Sequence, residues 1–97
     1  MKFVVLLEDN PAADADIRQR DMPAHLAFLE ENRDKIEAAG PLPVLGNGSG
    51  GLWIVEAPDK EVAEALVHAD PFWLTGLRKS VQVLAWKQVF AGGKRLI

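Results

Sequence analysis

The sequence has no cysteine, so disulfide cross-links and thiolate chemistry are excluded and redox state gives no clue to compartment. It also lacks a long apolar run. The apolar segment near its start, Phe3 to Leu7, is too short for the hydrophobic region of a secretory leader. No stretch reaches the roughly 20 apolar residues that a bilayer-spanning helix needs. Charge of one sign is nowhere concentrated. The 11 basic residues are scattered among 14 acidic ones, for a net charge of −3, which leaves no electrostatic footprint for nucleic acid. The two histidines, His25 and His68, and the dispersed acids lack the spacing of a metal-ligand set. These absences point to a cytoplasmic protein with no metal, cofactor, nucleic-acid or membrane partner. No repeat or composition break divides the chain, which reads as one domain over residues 1–97.

Hydrophobic residues make up 48% of the chain, enough for a true core. Lys2 to Glu8 reads as a strand with Phe3, Val5 and Leu7 on one face and Val4 and Leu6 on the other. Apolar residues on both faces imply a strand covered on both sides. Asn10 to Arg20 is polar and reads as a loop, with at most a short helical turn. Pro23 suits the first turn of a helix, and Asp21 is the candidate N-cap. The pattern predicts a helix from about Pro23 to Ala39, stopped by Gly40-Pro41. On a wheel of ~100° per residue, His25 shares a stripe with Met22, Leu26, Phe28, Leu29, Ile36 and Ala39. Asn32 lies in the same stripe.

Pro41 to Leu45 is a candidate short strand, confined to a sheet edge by its two prolines. Gly46 to Gly51 reads as a flexible turn and Leu52 to Ala57 as a strand. Asp59 caps a second predicted helix, with Val62, Ala65, Leu66 and Ala69 at the spacing of a buried stripe. Asp70-Pro71 ends it. Pro71 to Leu77 is a short helical turn or loop, Ser80 to Phe90 a long last strand, and the tail from Ala91 is loose. The order βαββαβ predicts an α+β, ferredoxin-like fold with both helices on one face of a four-stranded antiparallel sheet. The open face would then be apolar, a patch that a homodimer through that face removes, giving a dimeric α+β barrel.

Two residues stand out for chemistry. His25 points toward the sheet, and histidine is the side chain most easily set to exchange protons near neutral pH. Asp70 is an acid at a helix C-terminus, where the dipole disfavours it, so its position calls for a compensating partner. With the helices side by side, one carboxylate reaches one imidazole, fixes its tautomer and makes it a general base. The alternatives are a core histidine satisfied by a backbone carbonyl and an Asp-Pro turn initiator. Phe72 and Trp73 follow Asp70 and are candidate pocket walls, whereas Trp53 and Trp86 fit core or dimer packing. Arg18 and Arg20, or ordinary solvated charges in their place, precede the histidine helix and suit an anionic substrate group. Gly46 to Gly51 matches G-x-G-x-x-G in letters, but a strand follows it where the dinucleotide motif needs a helix. A hairpin is the better reading, with Ser49 offering a hydroxyl at its tip and the tip acting as a lid.

The pattern resembles the YCII-related family. The likeness lies in the strand Phe3–Leu7, in Pro23-Ala24-His25-Leu26, and in Ala39-Gly40-Pro41. It continues in the Gly-rich turn before Leu52–Ala57, in Ala69-Asp70-Pro71-Phe72, and in the Val-rich last strand. The resemblance implies a dimeric ferredoxin-like barrel with His25 and Asp70 as its active-site pair. Many relatives place an arginine close before the histidine. Here Met22 stands nearer, and Arg20 lies further back. Some members resemble lyases that eliminate HCl from chlorinated hydroxylated aromatics, and muconolactone isomerases share the broader fold. The expected function is therefore a cofactor-independent lyase or isomerase acting on a small cyclic or aromatic metabolite. His25 and Asp70 would be catalytic, with Phe72, Trp73, Arg20 and Ser49 around the substrate. The alternative is a non-catalytic ligand-binding or accessory dimer in which His25 and Asp70 form a structural hydrogen bond.

Overall fold

An unbroken run of Phe, Val and Leu makes β1 (Lys2–Asp9) a strand, and pairing on both of its edges makes it central. A computed structural model describes residues 1–45 and 48–97. After β1 come α1 (Ile17–Glu31), β2 (Ile36–Leu45), β3 (Gly48–Glu56), α2 (Lys60–His68), α3 (Pro71–Leu74) and β4 (Arg78–Ala85). A two-stranded hairpin of β5 (Phe90–Ala91) and β6 (Lys94–Arg95) follows. The main sheet has the order β2-β3-β1-β4 with every neighbour antiparallel. This is the α+β, ferredoxin-like arrangement that the element order predicts.

Phe3, Val5 and Leu7 of β1 lie with Trp53 and Val55 of β3 and Val83 of β4 on one face. Ala63 and Val67 of α2 complete the buried cluster, with Phe28 and Leu29 of α1 packed against it. Each such fully buried Val or Leu stabilises the fold by about 1.5–3 kcal/mol. Among the described residues no helix lies over the opposite face. Val4, Leu6, Leu52 and Ile54 are half-buried there, and Leu84 is 41% exposed.

The first helix differs most from expectation. It begins at Ile17, six residues before Pro23, and ends at Glu31 rather than Ala39. Asp16, not Asp21, holds the N-cap position, and it makes no side-chain cap. Pro23 sits inside the helix, where it leaves the Gln19 carbonyl without its usual donor. Asn32 ends the helix by turning its side-chain amide back to the Phe28 carbonyl, at 2.8 Å. Beyond it, Ile36 to Leu42 pair with β3, so Ala38, Ala39 and Gly40 lie in a strand. Their weak intrinsic preference yields to the pairing partner. The prolines Pro41 and Pro43 do fall on an edge strand, where a missing N–H is tolerated.

Smaller corrections follow the same logic. In α2 the buried residues are Ala63 and Val67, while Val62 faces solvent. The Gly-rich turn is mostly strand, since Gly48 to Gly51 open β3; Gly46 and Asn47 lie outside the described residues. The last strand starts at Arg78 and stops at Ala85, and the tail folds into the β5–β6 hairpin. That hairpin turns on Gly92 and Gly93, both at positive φ.

Gly50 pairs with Glu8 on one side and Leu42 on the other. A Cβ there would stand 2.0 Å from the Leu7 carbonyl oxygen, which is fixed backbone. Gly50→Ala should destabilise the protein by ~2 kcal/mol or more in urea unfolding. Gly40→Ala, with no atom within 4 Å of the added methyl, should stay within ~0.5 kcal/mol of the parent.

Candidate active site

Asp70 owes its position to the short helix α3. Its side chain accepts the Phe72 N–H at 3.2 Å and Pro71 supplies the first turn, which makes Asp70 the N-cap of α3. The preceding helix ends earlier, at His68 with Ala69 as its C-cap. Asp70 therefore follows the end of α2 directly, as the sequence suggested, with its N–H on the Val67 carbonyl at 3.1 Å, and it is at the same time the N-cap of α3, whose dipole favours an acid. The same oxygen, Oδ1, lies 2.8 Å from His25 Nδ1. Both turn initiation and pairing with His25 are thus carried by one atom.

His25 projects from α1 and is one of that helix's two buried residues, with 7% exposure. Phe72 lies nearly parallel to the imidazole, with ring centroids 4.3 Å apart, and Trp53 is tilted at 6.3 Å. Cap formation fixes Phe72 relative to Asp70, so the carboxylate and the aromatic wall reach the ring together. An ionised Asp70 accepts only, so Nδ1 carries the proton and Nε2 presents a lone pair. Among the described residues Nε2 makes no hydrogen bond, and it is not a sealed orphan either; Arg78 Nε is. The His25 side chain keeps 8% of its surface open, and Nε2 is the nitrogen that a general base would use.

A second polar cluster also borders Phe72. Asp9, at the end of β1, accepts from Arg78 Nη1 at 2.7 Å, from Ser49 Oγ at 2.9 Å and from Arg18 Nη2. Arg78 and Arg18 place their guanidinium carbons 5.4 and 5.8 Å from the Phe72 centroid, within cation–π range. A register shift brings Asp9 opposite Arg78. The β1–β4 ladder pairs Glu8 with Ser80 and then Asp9 with Arg78, so Lys79 is an extra residue. The bulge turns Arg78 toward the helix-covered face, which strict alternation would deny it. Gly51 then gives the guanidinium room, since a Cβ there would come within 3.2 Å of Arg78 Nη2.

Of the residues singled out in the sequence, His25, Asp70 and Phe72 come together. Ser49 joins the Asp9 cluster instead. Trp73 packs beside His68, with centroids 4.6 Å apart, and on the main core. Arg20 is far more open: its side chain is 55% exposed and faces Asp21 at 3.3 Å and Asp14 at 3.9 Å. Asp9 and Arg78 were not singled out. Their one signal was a charge closing one apolar strand, β1, and a charge opening another, β4. Among the described residues no three His, Asp or Glu side chains gather as a metal site, and no helix is long and apolar enough to cross a membrane.

Two cavities are open to solvent near these groups. One, of about 640 Å³, has Asp9, Asp14, Arg18, Ser49, Leu77 and Lys79 in its walls. The other, of about 660 Å³, is a shallow hollow along α1 at Arg18, Met22, Pro23 and Leu26. His25 lines neither.

Burial pushes the Asp9 carboxyl up, but hydrogen bonds from Arg78, Ser49 and Arg18 outweigh it and hold the group below its ordinary 3.8. A depressed folded pKa means stability that is fully present above 3.8 and lost as pH falls through the folded value. Asp9→Asn lacks that linkage. The stability gap between parent and variant should stay level above about pH 5 and shrink steadily below about pH 4, as followed by urea unfolding across that range.

Comparisons with known proteins agree with this architecture. Residues 1–87 match the YCII-related domain. Protein YciI of Escherichia coli O6:H1 is 31% identical over 99 residues, covering 93% of this chain and 100% of the relative. Protein YciI of Shigella flexneri gives the same figures, 31% over 99 residues. Among solved structures, the 5-chloro-2-hydroxyhydroquinone dehydrochlorinase TftG from Burkholderia phenoliruptrix AC1100, in complex with 2,5-dihydroxybenzoquinone, superposes with a TM-score of 0.76. It is 31% identical, and the match covers 90% of this chain and 94% of that one. With a buried His–Asp pair on a four-stranded ferredoxin-like sheet, and a family match along most of its length, this chain belongs to the YCII-related family.

Proposed function

We propose that the protein is a cofactor-independent lyase or isomerase that moves a proton on a small cyclic or aromatic metabolite. The observation that carries this reading is the 2.8 Å contact between His25 Nδ1 and Asp70 Oδ1, with Nε2 left unbonded. In this mechanism Nε2 takes a proton from a carbon or hydroxyl of the ring. The electron pair released forms a new double bond. In an elimination the leaving group departs with its own pair; in an isomerisation His25 returns the proton at another carbon. Asp70 holds the ring by its Nδ1–H and stabilises the imidazolium that forms. Phe72, parallel to the imidazole, offers an apolar wall to a flat substrate. The likeness to a dehydrochlorinase of a hydroxylated aromatic supports the class of chemistry.

One observation favours a second reading, a non-catalytic ligand-binding or accessory protein. His25 is only 7% exposed and lines neither cavity, as a structural hydrogen bond requires. Turnover separates the two. The purified protein is offered 5-chloro-2-hydroxyhydroquinone, with chloride release measured, and a panel of cyclic enols and lactones. An enzyme shows turnover that His25→Gln lowers by ~10²–10⁴-fold. Asp70→Asn lowers it too, with the fold intact by circular dichroism. No turnover on any of these compounds, together with destabilisation as the sole effect of both variants, would favour the structural pair.

We also infer a homodimer through the open sheet face. The support is the row of half-buried Val4, Leu6, Leu52 and Ile54, with Leu84 and Trp86 about two-fifths exposed. Leu84→Glu should shift the protein from dimer to monomer in sedimentation analysis. A parent that sediments as a monomer at micromolar concentration would remove the inference.

A further inference from the structure

The acidic residues stop early, a bias that the net charge of −3 conceals. All 14 lie within the first 70 positions, and no acid follows Asp70. Five cations do follow it: Arg78, Lys79, Lys87, Lys94 and Arg95. Three of them belong to the last eleven residues, after the chain has left β4. The same segment is apolar. Val89 and Leu96 are exposed there, Phe90 is 61% and Ile97 80% exposed, and among the described residues none of the four joins a core cluster. Yet the segment is folded. β5 pairs with β6, the Leu96 N–H donates to the Val89 carbonyl at 2.8 Å, and Gly92 and Gly93 make the turn. A hairpin this short is marginal alone in water, so open apolar side chains on it mark a contact surface.

Its place in the fold says where the contact falls. The Trp86 N–H donates to the Lys2 carbonyl at 2.9 Å, at the opposite end of β1 from Glu8. The hairpin therefore leaves from one end of the open sheet face. Acids at this end are already taken: Glu37 pairs with Lys2 at 2.9 Å and Glu56 with the amino group of Met1 at 2.7 Å. At the far end Glu8 is exposed and forms no ion pair among the described residues. The cavity beside it sets Glu8, Asp9 and Asp14 against Arg18 and Lys79, with Leu45 in its wall. Two stacked sheets related by a two-fold axis have that axis in the plane of contact. With the axis across the strands, the Trp86 end of one copy lies over the Glu8 end of the other. With the axis along the strands, each hairpin would meet Lys2 and the amino terminus, a repulsive pairing.

We propose that residues 87–97 form a basic, apolar arm that reaches across to a second copy of this chain. Lys94 and Arg95 meet Glu8 of the partner subunit, and Phe90 covers the apolar surface beside it. The inference rests on the homodimer through the open face, and it adds which way round the two copies stack. The acid-free C-terminal segment of each copy then lies on the acidic part of the other, so the charge bias of the sequence is satisfied twice over by one symmetric contact.

The test is sedimentation equilibrium of the full chain and its variants. Lys94→Glu/Arg95→Glu should raise the dimer dissociation constant about tenfold or more, and Glu8→Lys alone should do the same. The three changes combined should return it to within about threefold of the parent, a rescue that a loss of folding could not mimic. Phe90→Ser should weaken the dimer as well. A parent dimer that Leu84→Glu breaks, but that neither charge reversal weakens, overturns the arm and leaves the open-face dimer standing. A combined variant that fails to recover overturns it too. A monomeric parent overturns both readings together. The same variants are also mixed with phosphatidylcholine vesicles carrying roughly one-third phosphatidylserine. Vesicle binding that Lys94→Glu/Arg95→Glu abolishes, with dimerisation unchanged, would assign the arm to an anionic lipid surface and overturn its docking on a second copy.

Discussion

A single oxygen of Asp70 accepts both the Phe72 N–H and the His25 imidazole. Much else depends on that shared acceptor. The cap starts α3, α3 sets Phe72, and Phe72 lies against the imidazole and near two guanidinium groups. α1 is held to α3 by the same bond, and α1 also carries Arg18. Loss of Asp70 would therefore uncouple a helix, a ring and a base at once. Buried polar groups of this kind are costly when half satisfied and rigid when complete.

The two polar clusters are built from different parts of the fold. His25 and Asp70 come from the helical layer. Asp9, Ser49 and Arg78 come from three neighbouring strands, and only Arg18 crosses from the helices. Their common neighbour is an aromatic ring, which transmits position without a hydrogen bond. The sheet cluster also explains why β3 opens with glycines. Gly50 passes close to the Leu7 carbonyl, and Gly51 leaves space for a guanidinium. What looks in letters like a flexible or phosphate-binding loop is, over its second half, a strand thinned to admit its neighbours.

The fold was legible because β1 and β3 carry unbroken runs of Val, Leu, Ile and aromatic residues and because Asp59 and Pro71 are strong local signals. His25 and Asp70 were legible from an inward wheel position and an acid beside a helix end. Helix α1 was misplaced because its own apolar pattern is weak and Pro23 mimics a start, while Ile36 to Gly40 become strand only through pairing with β3. That pairing partner is more than ten residues away along the chain and leaves no local trace. Asp9 and Arg78 were hidden for a similar reason. Neither has a neighbour in sequence that predicts the other, and their contact requires a one-residue slip in a ladder.

That slip turns the count of residues into information. Arg78 is on the inner face because Lys79 is looped out, not because of any property of Arg78 itself. Deleting Lys79 would remove the bulge and set Arg78 directly before Ser80, where unbroken alternation still sends the guanidinium inward opposite Asp9. Among related sequences, an arginine one residue before the Ser80 position should therefore close the cluster by plain alternation, and one two residues before it only where the strand bulges.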